Sequence, residues 1–161
     1  MNAIYTEEQK FDQKIIRLIL LGILLAMTIL SGVIVLVEKS YVGIISFVVT
    51  LSIFILFKLL TLETKITNDT FCFRFLPFQI KFKCITKSEI SKIKVTKYYP
   101  ITDYGGWGIR FGRAGKAYTT SGNFGISITL STGKNVMIGT RQPEAVEKFL
   151  AENGYPITEG T

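Results

Sequence analysis

Histidine is absent from all 161 residues, and with it every Ser-His or Cys-His nucleophile arrangement. Cysteine occurs twice, at Cys72 and Cys84, so a Cys/His zinc site has no ligand set. Both lie in the part of the chain read below as cytoplasmic, where thiols stay reduced, and both are expected as small apolar strand residues. Acids are scarce after residue 63. The seven there are Asp69, Glu89, Asp103, Glu144, Glu147, Glu152 and Glu159, and four of them lie on or after the last predicted helix. A carboxylate pair for acid–base work would need Asp103 to meet Glu89 or Asp69 across strands. The expectation is a protein that is not an enzyme, with no catalytic residue, no metal and no cofactor.

A phosphate-cradling loop is also missing, although YGGWGIRFGRAGKAYTTSGNFG (104–125) is rich in glycine. A Walker-type loop needs Ser or Thr after its Gly-Lys and a helix beyond; here Ala117 follows Gly115-Lys116, and then a strand pattern. Gly106 and Gly108 fit the start of a dinucleotide fingerprint, but Phe111 stands where its third glycine belongs. These glycines read as turn and bulge residues.

Long apolar runs are what the chain does have. Ile15 to Val37 carries one charge, Arg17, and Tyr41 to Leu60 carries one, Lys58. At 1.5 Å per residue, about 20 residues cross a hydrocarbon core of roughly 30 Å. Neither run has the polar stripe of a buried core helix, and the first is too long, and lacks the cleavage site, for a signal peptide. The short connection Glu38-Lys39-Ser40 forces a hairpin. Lys10, Lys14 and Arg17 precede it, Lys58 and Lys65 flank its exit, and Lys39 alone marks its turn, so both termini are expected in the cytoplasm. Neither run holds an acid or a histidine at mid-membrane depth, which argues against a proton or ion pathway. Gly22/Ala26, Thr28/Gly32 and Ser46/Thr50 are small pairs at helical spacing, suited to close helix approach. The domains are therefore a cytoplasmic segment 1–14, a two-span hairpin 15–62 and a cytoplasmic domain 63–161.

After Leu62 the pattern alternates. A strand is predicted from Glu63 to Asn68, another at 71–75, and a third at 79–84 with Ile80, Phe82 and Cys84 inward. KIKVTKYY (92–99), strands at 107–112 and 117–120, Phe124 to Leu130, and Val136 to Ile138 complete about seven short strands. QPEAVEKFLAENG (142–154) then reads as one amphipathic helix, with Val146, Phe149 and Leu150 on one face.

Residues 64–161 also carry the whole net charge of +7. Lys81, Lys83, Lys92 and Lys94 are expected to face outward from neighbouring strands with Lys87 between them, and Arg110, Arg113 and Lys116 form a second basic group. Such groups suit anionic lipid headgroups, or are simply a solvated face obeying the positive-inside rule. Nucleic acid is set aside, because cations and aromatics follow strand alternation and build no nucleic-acid module. Tyr98, Tyr99, Tyr104 and Trp107 surround a loop and suit either a protein interface or domain packing.

Short antiparallel strands closed by one helix resemble the pleckstrin-homology-like fold, a partly open barrel of about seven strands. More narrowly, YGGWGIRFG (104–112), GISITLSTGK (125–134) and IGTRQPEAVEKFL (138–150), together with the hairpin, resemble small bacterial inner-membrane proteins carrying a cytoplasmic PH-like domain. The resemblance implies fold and location, and no substrate. The expected role is a non-catalytic module that scaffolds or regulates a partner membrane protein. The alternative is a module that binds anionic lipid or assembles with itself.

Overall fold

The computed structural model describes residues 4–112 and 115–158. The chain divides into two units, one of helices over 11–60 and one made of the flanking segments, up to Lys10 and from Thr61 onward.

The helical unit has α1 (Lys14–Glu38) and α2 (Val42–Leu59), both long and apolar enough to cross a membrane. α1 ends at Lys39 in the left-handed conformation, which turns the chain sharply into α2. They pack tightly at Gly43, where a Cβ would stand 2.6 Å from the Ser31 carbonyl oxygen and 2.8 Å from a Val35 methyl. Ser31 and Gly43 are accordingly the buried positions of the pair. Gly22 and Gly32 have no such neighbour within 4 Å, so the small pairs built on them do not make this contact. Thr28, Thr50 and Ser52 hydroxyls donate to carbonyls one turn back, satisfying them within the helix as an apolar medium requires. At the open end Phe11 N–H donates to the Leu60 carbonyl at 3.0 Å, and the Phe11 and Phe57 rings meet edge-on at 5.7 Å.

The other unit is built of two sheets. β1 (Tyr5–Lys10), β2 (Thr61–Ile66), β3 (Thr70–Leu76) and β4 (Lys83–Thr86) form an antiparallel sheet in that order. β5 (Ile90–Lys97), β6 (Gly108–Gly112), β7 (Gly115–Thr119), β8 (Phe124–Leu130) and β9 (Asn135–Thr140) form a second sheet, ordered β5-β8-β9-β7-β6, in which β7 and β9 run parallel. A short helix α3 (Pro100–Tyr104) lies between β5 and β6, and α4 (Pro143–Glu152) follows β9. The inner faces supply the core. Leu62, Ile66, Phe71, Phe73, Phe75 and Ile85 come from one sheet and Ile93, Ile126, Ile128 and Ile138 from the other, all at most 5 % exposed. Phe73 and Tyr118 link the sheets, ring centroids 4.8 Å apart. Val146 and Leu150, one turn apart on α4, are fully buried.

Four expectations change. Nine strands are described instead of about seven, in two sheets with one parallel pair, and no closed barrel is found among the described residues. The N-terminal segment is no separate piece: β1 pairs along β2 from Tyr5↔Ile66 to Lys10↔Thr61, so the helical hairpin is inserted within a β-hairpin of the domain. Its inward positions are Glu7 and Gln9, and their bonds reach the second sheet. Thr140 Oγ1 and Arg141 N–H donate to the Glu7 carboxylate at 2.8 and 2.7 Å, Gln9 Nε2 donates to the Gly139 carbonyl at 2.7 Å, and Arg141 Nη2 donates to the Lys10 carbonyl at 2.7 Å.

Residues 79–82 are loop, not strand, and β4 runs in the opposite phase to that expected: Ile85 points inward opposite Phe71, leaving Ile80 and Cys84 outside and Phe82 half-buried on the outer side. The cause is the turn after Leu76, held by Gln79 N–H donating to the Phe75 carbonyl at 2.8 Å, which delays the return strand. Finally, Cys72 and Cys84 face each other across β3 and β4, with Cα atoms 4.0 Å apart, and are joined as a disulfide instead of standing as separate thiols.

Candidate functional site

The basic residues singled out in the sequence do not form one surface. Lys81 and Lys83 are exposed at the entry to β4, in the first sheet, whereas Lys92 and Lys94 lie on β5 of the second, opposite Thr129 and Ser127. Lys92 is exposed and Lys94 half-buried. Lys87 is a structural clasp: its Nζ donates to the Asn153 carbonyl at 2.7 Å, near the end of α4, and lies 5.3 Å from the Tyr155 ring centroid. Lys116 is half-buried over Phe111 and Tyr118, 5.0 Å from each centroid. Arg110 is exposed and its Nε donates to the Trp107 carbonyl at 3.2 Å. Arg113 lies outside the described residues.

The aromatics divide similarly. Tyr98 and Tyr104 are buried, edge-on at 6.0 Å, in a small cluster with Ala117 and Met137 on the outer face of the second sheet. Two glycines make room for them: a Cβ on Gly125 would meet Met137 and Tyr98, and one on Gly112 would meet the Tyr104 ring. Burial pushes the Tyr98 phenol up to about 12, against a smaller lowering by the Thr119 hydroxyl; burial, then the Asp103 carboxylate, raises Tyr104. Trp107 is half-buried and its Nε1 donates to the Gly122 carbonyl at 2.9 Å. Of the four, only Tyr99 is open, at 64 % exposure, beside Ile101 at 71 %.

The acids act as caps. Asp103 Oδ2 accepts from Tyr99 N–H at 2.8 Å, ahead of α3, and Glu89 accepts from the Thr86 N–H and hydroxyl at 2.8 and 2.7 Å. Those two bonds hold Glu89 below the usual carboxylate range. Among the described residues no three Cys, Asp or Glu converge in a metal-holding group.

A different feature emerges along β5. Ile93 N–H donates to the Pro156 carbonyl, and Thr158 N–H donates to the Ile93 carbonyl, both at 3.0 Å, in a parallel bridge centred on Ile157. The chain's own C-terminal segment has thus added to the free edge of this strand. Tyr155, with its hydroxyl donating to the Thr67 carbonyl at 2.8 Å, fixes that segment at its start. By strand alternation Val95 and Lys97 turn their main-chain groups to the same edge. Beside them is an open groove of ≈ 290 Å³, walled by Val95, Thr96 and Lys97, by Phe124, and by Pro143, Glu144 and Glu147 of α4. The sequence held the strand and the helix but no sign that they flank one groove, since that depends on the β5–β8 order.

No protein-family model matches the chain, and no curated protein matches it closely enough to count as a relative.

Proposed function

We propose that this chain is a non-catalytic membrane module of the bacterial PH-like kind. In this reading α1 and α2 span the inner membrane, both termini and the β domain face the cytoplasm, and the domain scaffolds or regulates a partner membrane protein by accepting an extended segment of it along β5. The PH-like assignment is supported by an antiparallel sheet, a second sheet packed on it, and a helix after the last strand. The docking mode is supported chiefly by the bridge between Ile93 and Ile157, an extended strand already accepted at this edge. Strand addition gains affinity from main-chain bonds and specificity from adjacent side-chain pockets. Here Lys97 stands on one wall and Glu144 and Glu147 on the other, so the groove offers both signs of charge. The absence of histidine supports the non-catalytic reading.

A photo-crosslinking amino acid in place of Lys97, used in native membranes, tests this. The expected result is a discrete adduct with one other protein that disappears in Val95→Pro. That substitution removes an edge-facing N–H and leaves the β5–β8 ladder intact. Adducts only with this chain or with lipid, or an adduct indifferent to Val95→Pro, would sink the docking mode.

A further inference from the structure

We propose that the loop between β3 and β4, residues 77–82, is a membrane-interface anchor that inserts Phe78 and Ile80 among lipid headgroups. It rests on the proposed insertion of α1 and α2 but not on docking along β5. Strand register gives the loop its place. Leu76, the last residue of β3, pairs with Thr61, and Thr61 pairs with Lys10. Lys10 and Thr61 are the residues through which the domain continues into the helical hairpin, residues 11–13 leading from β1 to α1 and Leu60 alone from α2 to β2. The loop therefore leaves the sheet at the end from which both spans depart.

Its side chains suit an interface. Phe78 is 64 % exposed and Ile80 72 % exposed, two large apolar groups set two residues apart on one short loop. A flexible loop would fold such groups back; this one is braced against doing so. Arg74 Nη1 donates to the Ile80 carbonyl at 3.3 Å, and Gln79 Nε2 donates to the Phe73 carbonyl at 3.1 Å. Phe82 is held as a platform under two cations, with Lys65 Nζ 4.8 Å and the Arg74 guanidinium 4.5 Å from its ring centroid. Lys81 and Lys83, both exposed, flank the apolar pair. Apolar tips flanked by lysines are the pattern that enters the acyl boundary while its charges meet anionic headgroups. The partner is a lipid surface, and the site is made by shape and charge together.

Tryptophan quenching in the full chain, reconstituted into phosphatidylglycerol–phosphatidylcholine vesicles with brominated acyl chains, tests the proposal. Trp107 is kept and its signal subtracted using the unsubstituted chain. Three variants are compared: Phe78→Trp, Phe111→Trp as an aqueous control, and Leu51→Trp as an inserted control. Phe111 is 79 % exposed and pairs with Lys116, which pairs with Val136 at the start of β9, whereas Arg141, just past the end of β9, reaches Lys10. It therefore marks the end of the domain away from the junctions. The expected result is quenching of Phe78→Trp by lipid brominated near the headgroup, quenching of Leu51→Trp by lipid brominated deep in the chain, and none of Phe111→Trp. Quenching of Phe78→Trp should weaken when Lys81→Gln and Lys83→Gln are added. If Leu51→Trp is quenched and Phe78→Trp is not, the anchor is overturned and the membrane reading stands. If Leu51→Trp is not quenched, both fall together.

Discussion

Glu7 shows how much one polar side chain can hold. It is 6 % exposed, and its carboxylate accepts from the Tyr5 hydroxyl at 2.9 Å, from Thr140 Oγ1 and from Arg141 N–H. Two of these donors sit at the end of β9, so the bonds stitch one sheet to the other. Glu7→Ala removes the acceptor of the buried Thr140 hydroxyl and of the part-buried Arg141 N–H and should cost about 1–3 kcal/mol, the usual range when a buried polar group loses its partner. Glu7→Gln keeps the shape and one acceptor, and should cost less. Urea unfolding of the domain signal in the detergent-solubilised chain measures this; an unchanged midpoint in Glu7→Ala would show that the contact carries no stability. Tyr98 gives a pH signature at the same scale. Its folded pKa lies above the unfolded value of 10, so its contribution is complete below pH 10 and is lost as pH rises toward about 12. Tyrosinate absorbance should show several late-titrating phenols, Tyr104 and Tyr155 among them, and Tyr98→Phe should reduce their number by one. Ionisation of every phenol near 10 in the folded chain would contradict the packing described.

At the scale of elements, the helical hairpin has a tight contact at Gly43. Gly43 meets the Ser31 carbonyl and Val35, with no space for a side chain. Gly43→Leu should therefore separate α1 from α2 at this crossing and cost about 1–3 kcal/mol, as overpacking does. Gly32→Leu, at a position with nothing within 4 Å, is the matched control and should leave stability unchanged. Thermal loss of the helical signal in detergent separates the two; equal effects would mean that the crossing lies elsewhere. The sequence marked the helices well and this contact poorly, because apolar runs and the Val146/Leu150 spacing are local signals, whereas a contact between helices depends on their relative rotation. Strands were legible where inward residues were apolar, as with Phe71, Phe73 and Phe75. β1 was not, because its inward pair is Glu7 and Gln9, and YTEEQK looks like a solvated tail until β9 supplies the partners. β4 was misread in phase because a loop whose length was not apparent follows Leu76. The basic groups were correctly seen as cations, but sheet membership separated Lys81 and Lys83 from Lys92 and Lys94, and secondary contacts occupied Lys87 and Lys116.

For the whole molecule, β1 and β2 constrain topology more firmly than any local signal. If α1 and α2 span a membrane as proposed, the pairing of Lys10 with Thr61 requires both ends of the hairpin to emerge on one side of it, which is what two spans accomplish. Which side is a contest between two physical signals. The cations Lys10, Lys14, Arg17, Lys58 and Lys65 flank those ends and favour the cytoplasm. The disulfide between Cys72 and Cys84 favours an oxidising compartment. The cations are five and the cysteine contact is one. Antiparallel register alone sets Cys72 opposite Cys84, so their proximity belongs to the fold, while the surroundings decide whether the sulfurs are bonded. Orientation should accordingly follow charge. Alkaline phosphatase fused after Thr161 should be inactive, and maleimide trapping in rapidly quenched cells reads the state of Cys72 and Cys84 beside it. An active fusion with Cys72 and Cys84 oxidised would place the domain outside and make the bond a structural staple across β3 and β4. An inactive fusion with the pair still oxidised would retain the orientation and leave a disulfide that persists against the cytoplasmic thiol pool.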